Sequence, residues 1–273
     1  MTPADLFPDL ASWVGNLHNV WPAYVIKPQF ATWEVAHILS LVILGGASIL
    51  LNLRLIGVGV TSEPASELHR NLRLWIHVGV IGVVVSGLLI GMANAERLYN
   101  SAAFTVKMIA LVAGVMLTYG ASGPVARADG EVSASAKAWW LAGLAVFLFG
   151  LGLLATSKLI APGVFHVLTA AALLVLFVAQ GRVRWIYLAG LILLIAAQWV
   201  GTHIVVKQTD FDRLDPTNKA FACVFAAWIL GFAAYQLFGA RAAENRPLAR
   251  AIGYVSILVW VLAAAAGRWI AFA

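Results

Sequence analysis

Long apolar runs, repeated along almost the whole chain, limit what this sequence can fold into. Eight of them are candidate membrane spans, because about 20 apolar residues are needed to cross the hydrocarbon of a bilayer. They are Ala31 to Val60, Leu74 to Asn94, Ala102 to Gly120, Ala138 to Ile160, Gly163 to Gln180, Trp185 to Val206, Ala220 to Phe238 and Leu248 to Phe272. With 62% hydrophobic and 11% charged residues, the chain is more apolar than a water-soluble core requires. The sequence predicts an all-α, polytopic transmembrane helical bundle of about eight spans.

The segment before the first span, residues 1–30, carries aromatic residues typical of a membrane surface. Trp13, Trp21 and Tyr24 are of the types that favour the headgroup level. We expect this segment to lie along the surface as an N-terminal interfacial helix. A disordered tail is the alternative.

The distribution of basic residues between the loops predicts an orientation. With eight spans, the side that holds Arg54 and Arg127 carries more Lys and Arg than the opposite side. Basic loops stay on the cytoplasmic side of a membrane. We therefore expect a multi-pass protein of the bacterial inner membrane with both termini in the periplasm.

Several kinds of site are excluded by composition. Cys223 is the only cysteine, so the chain has no internal disulfide and no multi-cysteine metal or iron–sulfur site. The net charge of +6 is ordinary for the loops of a membrane protein, and no basic patch indicates nucleic-acid binding. The lipid bilayer is the expected environment, and the oligomeric state is open.

The two halves of the chain resemble each other in spacing. His37 precedes Arg54 by 17 residues across the first predicted span, and His166 precedes Arg182 by 16 across the fifth. Four spans followed by four give parallel halves, because each half has an even number of crossings. The predicted units are the interfacial segment 1–30, a first four-helix repeat 31–160 and a second 161–273. Chance similarity between apolar segments is the alternative.

Three histidines lie inside predicted spans at a similar depth. At about 1.5 Å of rise per residue, His37, His166 and His203 each lie about 24 to 28 Å from a basic residue at the far end of the same span. Ionisable side chains are costly in hydrocarbon and are therefore functional candidates. His77 belongs to the opposite membrane face. A histidine that only forms a hydrogen bond near the interface is the simpler interpretation of His203 and His77.

Two further polar residues belong to the layer of His37. Glu34 precedes His37 by three residues, so the two share a helix face and the carboxylate can orient or assist the imidazole. Lys107 lies about one turn into the third predicted span, where it either joins the site or extends its ammonium to the interface. His69 and His18 fall in polar or interfacial stretches, and we leave them out of the predicted site.

Four short motifs carry a family resemblance. They are Trp33-Glu34-Val35-Ala36-His37, Leu53-Arg54-Leu55-Ile56-Gly57, Ala95-Glu96-Arg97-Leu98-Tyr99-Asn100 and Gly267-Arg268-Trp269-Ile270-Ala271. The chain resembles an uncharacterised family of small bacterial multi-span membrane proteins. That family is distantly similar to copper-resistance D membrane proteins and to membrane-bound, haem-containing protoporphyrinogen oxidases. The oxidases use a buried histidine and a lysine, which His37 and Lys107 match, and the resemblance implies a haem-linked or copper-linked role.

Neutral imidazole is a good ligand for haem iron, copper and zinc. We therefore predict a b-type haem protein that transfers electrons between haem and quinone or a periplasmic partner. His37 and His166 are the predicted axial ligands, His203 is a substitute for either, and His77 is a candidate for a second haem. The alternatives are a copper transporter or carrier that uses the same histidines, a haem-dependent membrane oxidase, and an assembly subunit whose histidines only form hydrogen bonds.

Overall fold

The protein is a bundle of helices. The computed structural model describes residues 1–156, 161–206, 209–238 and 247–270, and these residues contain helices and turns but no strand. The α-helices are α1 (Pro3–Leu6), α2 (Ala11–Asn16), α3 (Ala23–Ile26), α4 (Phe30–Ile56), α5 (Ala65–Ala93), α6 (Ala95–Tyr99), α7 (Ala102–Val115), α8 (Gly123–Arg127), α9 (Ala134–Thr156), α10 (Ala161–Val178), α11 (Gly181–Val200), α12 (Phe211–Phe238) and α13 (Pro247–Trp269). In the same ranges two stretches are π-helical, Met116–Ser122 after α7 and Gly201–Val205 after α11.

Among the described residues, seven helical stretches are long and apolar enough to cross a membrane. They are Ala23–Ile56, Ala65–Ala93, Ala102–Arg127, Ala134–Thr156, Gly181–Val205, Asp212–Phe238 and Pro247–Trp269. The fifth segment predicted from the sequence contains the shorter apolar helix Val164–Val178. Ile160 and Phe272, predicted ends of the fourth and eighth spans, lie outside the described residues. The prediction of an all-helical, multi-pass bundle is confirmed, and the four-plus-four repeat stays a prediction.

The N-terminal segment is a series of short helical turns instead of one interfacial helix. Four prolines fall within the first 28 residues, and each removes a backbone N–H donor that a continuous helix needs. Thr2 and Asp5 cap α1 reciprocally, and the hydrogen bonds with Thr2 hold the pKa of Asp5 below its usual range. Trp13, Trp21 and Tyr24 are exposed, as an interfacial position requires.

Two groups of buried apolar side chains hold the helices together. The first core lies between α4, α5, α7, α9 and α13, and includes Leu44, Ile76, Val106, Phe147 and Trp260. The second core joins α10, α11 and α12 to α13 and to the end of α4, and includes Ile56, Val175, Tyr187, Ile229 and Ile257. α13 contributes to both cores and is the most buried of the described long apolar helices, with 67% of its most apolar window inside the protein, so it is the central helix of the bundle.

Glycines allow the helices of the first core to approach closely. A Cβ atom on Gly79 of α5 would lie 2.6 Å from Cβ of Leu44 on α4, and one on Gly114 of α7 would lie 2.9 Å from Cζ2 of Trp260 on α13. Small residues at such positions are a common device for packing helices in membranes. The close α4–α5 pair fixes the backbone of His37 against α5.

A buried arginine joins the two cores. Arg250 of α13 donates from Nε to the carbonyl of Ile56 at 3.2 Å and from Nη1 to the carbonyl of Gln236 at 2.6 Å. The hydroxyl of Tyr254, one turn later, donates to Oε1 of Gln236 at 2.9 Å. This cluster ties α13 to the end of α4 and to α12.

Candidate functional site

His37 lies at the centre of the best-defined polar group within the spans. It is 7% exposed and points from α4 towards α5 and α7. Its Nδ1 is 2.9 Å from Oγ of Ser86 on α5, and its Nε2 is 3.2 Å from Nζ of Lys107 on α7. A Cβ atom on Gly87 would lie 3.2 Å from Cε1 of His37, so the lack of a side chain at Gly87 leaves room for the imidazole. The presence of a metal or a haem here stays a prediction, whereas the structure places the side chains of His37 and Lys107 in contact.

The donors and acceptors around His37 follow a consistent order. Ser86 donates its hydroxyl proton to the carbonyl of Gly82, so its oxygen accepts the proton of Nδ1–H. Nε2 is then the acceptor, and the ammonium of Lys107, which can only donate, faces its lone pair. Ser86 therefore fixes the tautomer of His37 and orients Nε2 towards Lys107.

Beside this pair lies a cleft of about 410 Å³, which we call the His37 cleft. Its apolar lining includes Phe30, Ile38, Leu41, Ile90, Leu98, Phe104 and Ile270. Its polar lining consists of Glu34, His37, Asn94, Arg97, Lys107 and Arg268. Three cations and one carboxylate thus surround a largely apolar space, which suits an amphipathic ligand with acidic groups.

The cations of the His37 cleft come from three separate elements. Arg97 of α6 donates from Nη2 to the carbonyl of Ile270 at 3.2 Å, which places it against the end of α13. Arg268 lies on the last turn of α13. A Cβ atom on Gly267 would lie 3.5 Å from Nζ of Lys107, so Lys107 passes close to the backbone of α13. The end of α13 therefore organises the positive side of the cleft.

A second, more apolar cavity adjoins His37. It measures about 310 Å³, shares His37, Gly87 and Lys107 with the cleft, and also contains Met92 and Met108. The N-terminal segment covers this apolar cavity through Pro3, Val14 and Leu17. The hydroxyl of Tyr99 donates to the carbonyl of Phe7 and holds that segment in place. His37 therefore borders a charged space and an apolar, thioether-bearing one.

His166 lies in a different cavity from His37. Its ring meets that of Trp269 edge to face, with the centroids 6.4 Å apart, and it lines a cavity of about 440 Å³ with Arg268. That cavity shares Ala264 and Arg268 of α13 with the His37 cleft. The predicted axial partners thus line neighbouring but separate spaces.

His203 and His77 make local contacts elsewhere. His203 is exposed in the π-helical turn and stacks on Trp199, with the ring centroids 5.2 Å apart. Its Nδ1 lies 3.1 Å from the backbone carbonyl oxygen of Trp199. His77 stacks on Tyr119 at 5.4 Å, with Nδ1 2.8 Å from the hydroxyl. Neither lines the His37 cleft.

No three-ligand metal site joins these residues. Within the described ranges, no group of three or more His, Cys, Asp or Glu side chains is arranged to hold a metal ion. Glu34 lines the cleft, but the nitrogens of His37 face Ser86 and Lys107 instead of this carboxylate. The layer of His37, His166 and His203 therefore does not converge on one metal. Haem iron needs only one or two protein ligands, so the prediction of a haem site does not depend on a three-ligand cluster.

Sequence reasoning missed Ser86, Arg97 and Arg268 as members of the site. The nearest signal for Ser86 was the run of small residues on α5, which includes Gly79 and Gly87, and small residues mark close helix contacts in membranes. The two arginines are distant from His37 in sequence and lie at helix ends, where they are easily interpreted as interfacial residues.

The site falls largely within a region that matches a known family model. A family of unknown function, DUF6644, matches residues 24–161, just over half of the chain. The chain belongs to this family. Its matched region contains His37, Ser86 and Lys107, whereas Arg268 and the other predicted ligands His166 and His203 lie beyond it. No curated protein and no solved structure matches the chain.

Proposed function

We propose that this protein is a membrane-embedded b-type haem protein, with the haem in the His37 cleft, and that it transfers electrons between haem and quinone or a periplasmic partner. The orientation of His37 is the main support. Ser86 accepts the proton of Nδ1–H, which leaves the lone pair of Nε2 as the available ligand. Histidines that bind metals usually donate their other ring N–H to a neighbour in this way.

The lining of the cleft suits the rest of the haem molecule. Haem is a flat, apolar ring that carries two carboxylates, and the cleft combines apolar side chains with Arg97, Lys107 and Arg268. Guanidinium groups pair well with carboxylates, often through two parallel hydrogen bonds. The volume of about 410 Å³ falls within the range of about 300 to 1,000 Å³ that is common for cofactor sites.

Lys107 has a defined part in this proposal. Its ammonium lies 3.2 Å from Nε2 of His37, the atom that would bind iron, so it must move when iron binds. Lysine has a long and flexible side chain, and Glu34 and a haem carboxylate are acceptors within the same cleft. When bound, haem supplies a one-electron redox couple. We assign the iron bond from the protein to His37, because His166 and His203 do not line this cleft.

The test is an optical spectrum of the full chain purified after expression with haem supplied. We expect a Soret band and, after reduction with dithionite, α and β bands. His37→Ala removes them, whereas His203→Ala, a matched histidine outside the cleft, keeps them. A wild-type protein without a Soret band, or a spectrum that survives His37→Ala, contradicts the proposal.

A copper carrier is the second candidate, and the apolar cavity favours it. Met92, Met108 and His37 line that cavity together. Thioether and imidazole groups are suitable ligands for Cu(I). Stoichiometric copper without iron in the purified protein supports this candidate. Replacing Met92 and Met108 with leucine would then remove the copper, whereas Met116→Leu, which lies outside the cavity, would keep it.

A haem-dependent oxidase is a third candidate, and the contact between Lys107 and His37 favours it. A lysine and a histidine in contact can transfer a proton to or from a bound substrate. Direct assay of protoporphyrinogen oxidation distinguishes this enzyme from an electron-transfer protein. Activity that depends on Lys107, measured with Lys107→Met beside wild type, supports the oxidase.

A further inference from the structure

A second polar cavity lies at the opposite end of the bundle from the His37 cleft. It measures about 200 Å³ and lies between the first half of α5 and the stretch from Met116 to Arg127. At about 1.5 Å per residue, Lys107 and Arg127 are about 30 Å apart along their span. We call this space the Arg127 cavity; its polar lining is His69, Arg73, His77, Thr118, Tyr119 and Arg127.

His69 forms the buried wall of the Arg127 cavity. It is 9% exposed, and a Cβ atom on Gly123 would lie 3.4 Å from its Nε2. In the part of the chain that the structure describes, His69 makes no hydrogen bond. Its ring nitrogens are not among the fully buried polar atoms that lack a partner, so they remain accessible from the cavity, and a ligand with a matching polar atom would give them a hydrogen bond.

The charge of the cavity comes from two exposed arginines. Arg73 and Arg127 both line it, and neither forms an ion pair or a hydrogen bond with another described residue. The nearby acids have other partners: Glu67 pairs with Arg70, and the carboxylate of Asp129 accepts from the backbone and hydroxyl of Ser66. None of the described residues that line the cavity is a carboxylate, so the two guanidinium groups make it positive.

The remaining wall supplies neutral hydrogen-bonding groups. Tyr119 stacks on His77, and its hydroxyl lies 2.8 Å from Nδ1 of that ring. Tyr119 belongs to the π-helical stretch Met116–Ser122, a backbone form that often occurs at functional sites. The ring pair closes one side of the cavity and leaves the guanidinium groups as its charged components.

We propose that the Arg127 cavity binds a phosphate-type oxyanion between Arg73 and Arg127, with His69 as a donor from the buried wall. Guanidinium groups match the geometry of phosphate oxygens and pair with them through two hydrogen bonds. The volume is below the range of about 300 to 1,000 Å³ usual for larger organic ligands, and suits a small anion. The phosphate is either free in solution or part of a phospholipid headgroup.

The experiment measures binding to the full chain purified in a detergent without phospholipid. Inorganic phosphate is titrated by calorimetry, and phosphatidic acid is titrated separately by native mass spectrometry, with phosphatidylcholine as the lipid control. Arg73→Gln and Arg127→Gln should each weaken binding about tenfold or more, because each removes a charge-assisted contact. Arg70→Gln is the matched control, since Arg70 is paired with Glu67 and does not line the cavity.

The outcomes separate the two sources of phosphate. Binding of inorganic phosphate that both variants weaken identifies a site for the free anion. Binding of phosphatidic acid alone, with the same dependence on Arg73 and Arg127, identifies a headgroup site. A wild-type chain that binds neither ligand overturns the proposal, as does equal binding by Arg70→Gln and the two cavity variants.

Discussion

Two spans of almost the same mean hydropathy differ sharply in how they pack. In Pro247–Trp269, 67% of the most apolar window is buried inside the protein, whereas in Gly181–Val205 only 11% is buried. The first span lies between both cores, and the second leaves Ile192, Leu193 and Trp199 exposed. Mean hydropathy thus indicates which helices can cross a membrane. It does not indicate which of them pack in the interior of the bundle, where the His37 cleft lies.

The largest expected difference between these spans is at their tryptophans. Trp260 is buried against Gly114 and donates from Nε1 to Oγ1 of Thr118 at 3.3 Å, whereas Trp199 is 56% exposed. Trp260→Ala should lower the free energy of unfolding by about 3 to 5 kcal/mol, and Trp199→Ala by about 0.5 kcal/mol. Unfolding in mixed micelles with increasing dodecyl sulfate, followed by circular dichroism, measures both. Equal losses would show that the two spans are packed alike.

A second comparison uses two glycines. Gly79 lies against Leu44 in the first core, whereas a Cβ atom on Gly231 of α12 would meet no atom within 4 Å. Gly79→Ala should destabilise by about 1 to 3 kcal/mol because the added methyl group separates α4 from α5. Gly231→Ala should be neutral or stabilise by up to about 1 kcal/mol through its better helix propensity. The same unfolding measurement applies, and a stabilising effect at Gly79 would contradict the close α4–α5 contact.

The smallest expected effect is at two serines near His37, Ser86 on α5 and Ser40 on α4. Ser86→Ala removes the acceptor of Nδ1–H of His37 and should cost about 0.5 to 1.5 kcal/mol. It should also reduce the haem content and alter the spectrum of the proposed haem. Ser40→Ala on α4 is the control, since its hydroxyl donates only to the carbonyl of Ala36. If both variants retain wild-type spectra, Ser86 does not orient His37.

The helices could be predicted from the sequence, and the contacts between them only in part. The bilayer requires long apolar runs, so each of the seven long apolar helices coincides with a predicted span. Depth along a helix axis carries no information about the direction in which a side chain points. His166 and His203 therefore share the predicted depth of His37 but line none of its cleft. The association of His37 with Lys107 was indicated by their shared depth and by the family resemblance.

Local backbone geometry is another feature that the sequence analysis did not predict. The π-helical turn at Met116–Ser122 changes the spacing of the side chains that follow Val115. A regular periodicity of 3.6 residues therefore does not predict the directions of the side chains in this turn, and Tyr119, which contacts His77, is one of them. His69 was left out of the predicted site because its surroundings in the sequence are polar, although three-dimensional packing buries it.

The central place of α13 affects the order in which the chain is assembled. Protein synthesis delivers α4, α5, α7 and α9 first, but the first core also needs Trp260, and α13 begins about 90 residues after α9 ends. At about 5 to 20 residues per second, the early helices wait roughly 5 to 20 seconds for their partner. During that interval the groove that α13 will fill faces lipid or the insertion machinery. A ribosome that stops before Pro247 therefore releases a chain that has every early span but lacks the helix that completes their packing.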